Sequence, residues 1–201
     1  MGNSNLTRRR TLLAGTCALA LTLVACSENK PAFTGIDITG ANYATGFSLV
    51  DHNGQPRTLA DFKGKVVVLF FGFTQCPDVC PTSMIEMAEA KRLLGPDGDR
   101  FQGLFVSIDP ERDTPEIMRE YMGSFDPSFL ALYAEPDKLP EVAKSFRIHY
   151  KKVAGPTPTS YTMDHSAGSY VYDPQGRIRL YNRYGTGPQA LANDIKLLLD
   201  Q

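Results

Sequence analysis

Val66 to Phe71 is an unbroken run of β-branched, aliphatic and aromatic residues with no polar residue among them. A half-buried strand alternates. A short run without alternation predicts a strand covered on both faces, as at the centre of a parallel or mixed sheet. Gly72 closes the run, and a short loop then delivers Cys76 and Cys80, with Pro81 directly after the second cysteine. Proline is favoured at the first position of a helix, so the sequence predicts Cys80 near the N-cap. Two thiols would then lie between the carboxyl end of a central strand and the amino end of the next helix. The positive pole of the helix favours thiolate there, and open α/β sheets place their ligand sites at that end.

The chain of 201 residues has room for one domain with a core and a tail. Residues 1–25 are expected to be a signal peptide. Arg8, Arg9 and Arg10 precede an apolar stretch from Leu12 to Ala25 that is short for a bilayer span. The arginines fit either Tat or Sec export. Leu23-Val24-Ala25-Cys26 has the pattern of a lipobox, which would make Cys26 the lipidated first residue of the mature chain. Of the four cysteines, Cys17 would leave with the leader and Cys26 would be taken by lipid, leaving Cys76 and Cys80. A disulfide between them would close a very small ring and stabilise little, so the pair is expected to serve chemistry. Without the three leader arginines, 18 basic residues face 22 acidic ones, a net charge near −4. Nothing in that balance suggests a nucleic-acid partner.

Along the rest of the chain, residues 26–43 lack apolar periodicity and read as a membrane tether. Phe47 to Val50 and Gln55 to Leu59 flank Asn53-Gly54, a hairpin signal. Thr82 to Leu94 is predicted helical, Phe101 to Ile108 a second buried strand, and Thr114-Pro115 the cap and first position of another helix. A short strand at Phe129 to Ala134 and a helix at Asp137 to Phe146 follow. Arg147 to Val153 alternates, and Gly155 to Ser160 reads as a loop. Ser169 to Tyr172 and Ile178 to Tyr181 flank an Asp-Pro-Gln-Gly turn, and Leu191 to Leu199 is a closing amphipathic helix. Strands alternating with helices predict one α/β domain over residues 44–201, a thioredoxin-like fold with an extra N-terminal β-hairpin.

Thioredoxin-like redox proteins usually carry two residues between their cysteines; this chain carries three. The longer spacing lets both sulfurs face a third object. A soft ion such as Cu(I) prefers thiolates and low coordination, which two cysteines and one further donor supply. Among the three histidines, His52 lies in a turn and is expected to be solvated, and His149 shares a polar strand face with Arg147 and Lys151. His165 stands just before the strand at Ser169, in the loop that packs against the cysteines in a thioredoxin fold. It is the expected third ligand. Zinc would also accept two thiolates and an imidazole.

Three segments carry a resemblance: Phe73-Thr74-Gln75-Cys76-Pro77-Asp78-Val79-Cys80-Pro81-Thr82, Val106-Ser107-Ile108-Asp109-Pro110-Glu111-Arg112-Asp113-Thr114-Pro115, and Asp164-His165-Ser166. Together they resemble the Sco (Sco/SenC) family, from about Phe47 to the C-terminus. The resemblance implies a membrane-tethered copper chaperone for the CuA centre of cytochrome c oxidase subunit II. Copper, as Cu(I) or Cu(II), would be held by Cys76, Cys80 and His165. Asp78 and Asp164 also fall on motif positions. Asp78 would tune the site's charge or face a partner, and Asp164 would orient the imidazole. Asp109 to Pro115 is expected to be architectural. Other periplasmic copper or thiol-redox proteins would be partners, on the periplasm-facing side of a bacterial envelope. Many relatives are anchored by a transmembrane helix, whereas a lipid on Cys26 is expected here. A thiol–disulfide oxidoreductase, keeping the acceptor's cysteines reduced, is the alternative. A thiol peroxidase is a weaker one, since it gives His165 no task.

Overall fold

The computed structural model describes residues 32–157 and 160–201, so the expected leader and Cys26 lie outside it. In chain order come β1 (Ile36–Asp37), β2 (Ser48–Asp51), β3 (Pro56–Thr58), β4 (Val66–Gly72), α1 (Val79–Leu93) and β5 (Phe101–Ser107). Then follow α2 (Pro115–Gly123), β6 (Leu130–Tyr133), α3 (Leu139–Ser145), β7 (Tyr150–Ala154), β8 (Tyr161–His165), β9 (Ser169–Tyr172), β10 (Ile178–Asn182) and α4 (Pro188–Leu199). One mixed sheet has the order β1-β10-β9-β4-β5-β6-β2-β3, and β7 and β8 form a separate ribbon. This is the α/β, thioredoxin-like layering that the sequence predicts, with the β2–β3 hairpin added at one edge. Among the described residues no helix is long and apolar enough to cross a membrane.

The centre of the sheet is where the apolar run placed it. Every residue of β4 is buried, as is every residue of β5, its parallel neighbour. Alternation sends Phe70 and Phe71 to opposite faces. Phe70 meets Phe105, which meets Tyr121 of α2, while Phe71 meets Phe146 at the end of α3. Thr114 caps α2 as expected, its hydroxyl accepting from the Ile117 amide. The Asn53-Gly54 turn is closed by buried Asp51, which accepts from the amides of Asn53 and Gln55 and from Arg57 Nε.

Three expectations are corrected. The tether reading fails from residue 33 onward. The Thr34 and Gly35 amides each donate to the Asp194 carboxylate at 2.8 Å, β1 pairs with β10, and Ala44 is buried with its carbonyl accepting from the Tyr172 hydroxyl. Those partners are far away in sequence, so no local periodicity announces them. The helix after the cysteines starts at Val79, so Cys80 is inside its first turn and Asp78 is the N-cap residue. Finally, His165 ends a strand, β8, which pairs antiparallel with β7 and sets His165 opposite Tyr150.

Candidate metal centre

The cysteine loop is fixed from below before its thiols meet anything else. Gly72 ends β4 with no side chain, and a Cβ there would stand 2.8 Å from Cys80 Sγ. Glycine is therefore what lets Cys80 reach the end of the central strand. Phe73 is buried, and its carbonyl accepts from the Cys76 amide at 3.2 Å. The next residue, Thr74, is tied to buried Asp113 through its amide and, at 2.6 Å, its hydroxyl. The other oxygen of Asp113 accepts from the Ser107 hydroxyl at the end of β5. Asp113 thus links two strand ends and the loop. Burial pushes its carboxyl pKa up, against the lowering effect of these donors.

The helix start then presents the sulfurs. Cys76 is half-buried and Cys80 fully buried, both as free thiols. The Cys80 amide points at Cys76 Sγ at 3.4 Å. From across the molecule, His165 brings its Nε2 to 3.5 Å from Cys80 Sγ. Its Nδ1 lies 2.9 Å from the Ser166 carbonyl, an acceptor only, so Nδ1 carries a proton and Nε2 is the nitrogen turned toward the thiols. Phe70 and Phe73 flank the imidazole edge-on. The two sulfurs and a ring nitrogen all lie within 4.8 Å of one another, the sole such group of three potential ligands among the described residues.

The two thiols are electrostatically unlike. A hydrogen bond from the Cys80 thiol, joined by the imidazole and the Asp78 and Cys80 amides, lowers the Cys76 pKa to about 4 although burial opposes it. The same bond and burial push Cys80 up, so that it keeps its proton. A thiolate, a thiol that becomes a thiolate when a cation displaces its proton, and an imidazole nitrogen form a donor set for a soft or borderline metal ion.

The other predicted residues fare differently. Asp78 is exposed, and it is its backbone N–H that serves Cys76. The expectation for Asp164 is corrected. The residue is exposed, strand alternation turns it away from the side His165 faces, and the Ser166 carbonyl orients the ring instead. His149 is exposed, as expected. His52 is not solvated but buried, its Nδ1 accepting from the Ala131 amide at 3.1 Å. The segment from Asp109 to Pro115 is more than a turn and cap, since its Asp113 holds the cysteine loop. Two acids either side of an arginine, directly after a buried strand, were the available signal.

The family model described as SCO1/SenC matches residues 37–200. The chain belongs to the SCO1/SenC family. Among curated relatives, a SCO2-like protein of Rickettsia felis is 32% identical over 188 residues, 92% of each chain. Among solved structures, Bradyrhizobium japonicum ScoI with copper bound is 42% identical with a TM-score of 0.69, covering 76% of this chain and 97% of that one. Apo Sco1 of Thermus thermophilus is 37% identical with a TM-score of 0.71, covering 83% of this chain and 95% of that one. Family membership joins this chain to proteins whose fold is thioredoxin-like, as the layering here is.

Proposed function

We propose that the protein is a copper chaperone that binds Cu(I) or Cu(II) through Cys76, Cys80 and His165 and passes it to the CuA centre of cytochrome c oxidase subunit II. The convergence of two sulfurs and an imidazole nitrogen within 4.8 Å carries this reading. The copper-bound Bradyrhizobium relative supports it. Copper is cargo here. Cys76 offers a ready thiolate, Cys80 gives up its proton as metal binds, and His165 adds the nitrogen that Cu(II) requires more than Cu(I) does. The half-exposed position of Cys76 leaves one side of the site open to an acceptor. Asp78, exposed at the helix start, would meet that acceptor. The test is a copper titration of reduced wild type beside His165→Ala. His165→Ala is expected to keep the fold, lose Cu(II) binding and retain weakened Cu(I) binding. Oxidation of the cysteines to a disulfide should abolish both. Cu(II) binding like wild type in His165→Ala overturns the ligand set.

The lowered pKa of Cys76 favours a second reading, thiol–disulfide exchange with the acceptor's own cysteines. The Cys76 thiolate would attack a disulfide sulfur to form a mixed disulfide. Cys80, losing its proton, would then close the intramolecular disulfide and release the reduced acceptor. His165→Ala should leave most of that activity intact, and Cys76→Ser should remove it.

Anchoring through a lipid on Cys26, on the periplasm-facing side of the envelope, completes the proposal. A membrane-bound wild type and a soluble or unprocessed Cys26→Ser form are expected on fractionation; a soluble wild type refutes the anchor.

A further inference from the structure

The ribbon that carries His165 has no buried residue in either strand, and among the described residues β7 and β8 pair with no strand but each other. Beyond the packing of half-buried Tyr150 and Met163 against the core, a lone two-stranded ribbon has little of its own to fix its orientation. Yet one nitrogen ligand hangs from it while both sulfurs belong to the body of the domain. Arg112 spans that gap. Its Nη1 donates to Gln75 Oε1 at 3.1 Å, in the residue before Cys76, and to the Tyr161 carbonyl at 2.9 Å, where β8 begins. Its guanidinium carbon stands 3.6 Å from the Tyr161 ring centroid and 5.7 Å from that of Phe73. Phe73 is also one of the rings flanking His165. Asp109 closes the arrangement by accepting from Arg112 Nε at 2.5 Å and from the Tyr161 hydroxyl at 2.8 Å. Arg112 Nη2 is buried without a hydrogen-bond partner among the described residues. The ion pair that reaches the ribbon, Lys152 with Glu111, is exposed on both sides, and such pairs contribute little.

We propose that Arg112 is a positioning residue that holds the His165 ribbon to the cysteine loop and so decides whether bound copper keeps its nitrogen ligand. The proposal rests on the three-ligand reading above. A planar fork that stacks on one ring and bridges two segments is a task for arginine and not for lysine. Without it the two thiolates remain side by side, sufficient for Cu(I), while the imidazole is no longer held over them.

The test uses the reduced full chain with Arg112→Met and Arg112→Lys, titrated separately with Cu(II) and, against a competing chelator, with Cu(I). Both variants should weaken Cu(II) binding by about ten- to a hundredfold, the usual cost of losing a group that orients a ligand. The thiolate-to-Cu(II) charge-transfer band should shift. Cu(I) affinity should change by about threefold or less, because two thiolates suffice for it. Amide exchange over residues 150–165 should accelerate in the metal-free protein. If Arg112→Met does not fold, Gln75→Ala cuts the clamp's arm to the cysteine loop and Tyr161→Phe removes the hydroxyl that ties the ribbon to Asp109, and each should show the same selectivity in smaller degree. Equal loss of both copper states, unchanged exchange in the ribbon, or an Arg112→Lys form matching wild type overturns the proposal. His165→Ala run alongside separates the failures. If it also binds Cu(II) normally, the ligand set falls and takes the proposal with it; if only the Arg112 variants do, the proposal falls alone.

Discussion

Cys76 and Cys80 are the same residue type on one turn of chain, and their environments give them opposite characters. Cys76 is lowered from the ordinary 9.0 to about 4 chiefly because the Cys80 thiol donates to it. A pKa depressed by folding contributes stability that is fully present above the unfolded value and is lost as pH falls through the folded one. The reduced metal-free protein should therefore lose this contribution progressively from about pH 9 down to about pH 4. Alkylation of Cys76 should still be fast at about pH 6, where an ordinary thiol is protonated and slow. Cys80→Ala removes the donor, so its Cys76 should slow markedly at that pH. Unchanged alkylation in Cys80→Ala would show that the helix start, not Cys80, sets the thiolate. Cu(I) uptake at neutral pH should release about one proton, from Cys80, because Cys76 has already lost its own.

At the scale of elements, the site is an intersection of three pieces of chain, and Asp113 fixes two of them. Its carboxylate joins the end of β5 to the loop after β4 through Ser107 and Thr74. Asp113→Ala leaves the Thr74 amide and hydroxyl and the Ser107 hydroxyl without their acceptor, which should cost about 2–4 kcal/mol in urea unfolding. Asp113→Asn keeps an acceptor for Thr74 and removes the buried charge. Burial raises the carboxyl pKa, so the stability linked to Asp113 is greatest below the unfolded value of 3.8 and declines as pH rises through the folded one. The Asn variant escapes that decline. Its stability relative to wild type should improve between about pH 4 and pH 7. A constant difference across that range would mean that the carboxyl is not perturbed.

For the whole molecule, the strap from Phe33 to Ala44 is tied to elements late in the sequence, β9, β10 and α4. Asp194 of α4 accepts both the Thr34 and Gly35 amides, and Gly35 is a position where any side chain would strike Asn182 Oδ1. Asp194→Ala should lower stability by about 2–3 kcal/mol, since two hydrogen bonds to a carboxylate are lost together. Copper affinity should stay at the wild-type level, because among the described residues the strap makes no hydrogen bond, ion pair or ring contact with Cys76, Cys80 or His165, the proposed ligands. Loss of copper affinity in a folded Asp194→Ala protein would show that the strap and the site are coupled.

The sequence alone determined the centre of this protein. The unalternating run at Val66 dictated a strand buried on both faces, and Gly72, the paired cysteines and Pro81 dictated a loop and helix at its end. Those signals are local: burial pattern, turn chemistry and cap preference act within a few residues. His165 was identifiable as a ligand candidate because the alternatives, His52 and His149, had ordinary settings. Its environment was not identifiable. That it ends a strand and that Asp113 holds the cysteine loop depend on partners elsewhere in the chain, and that the neighbouring Ser166 carbonyl rather than Asp164 orients its ring depends on how the backbone turns after β8. The strap was missed for the same reason, since a two-residue strand such as Ile36–Asp37 has no period of its own. Only the tertiary structure decides contacts of this kind, because a polar side chain's partner is set by which segments the packed core brings together, and local sequence carries no record of that choice.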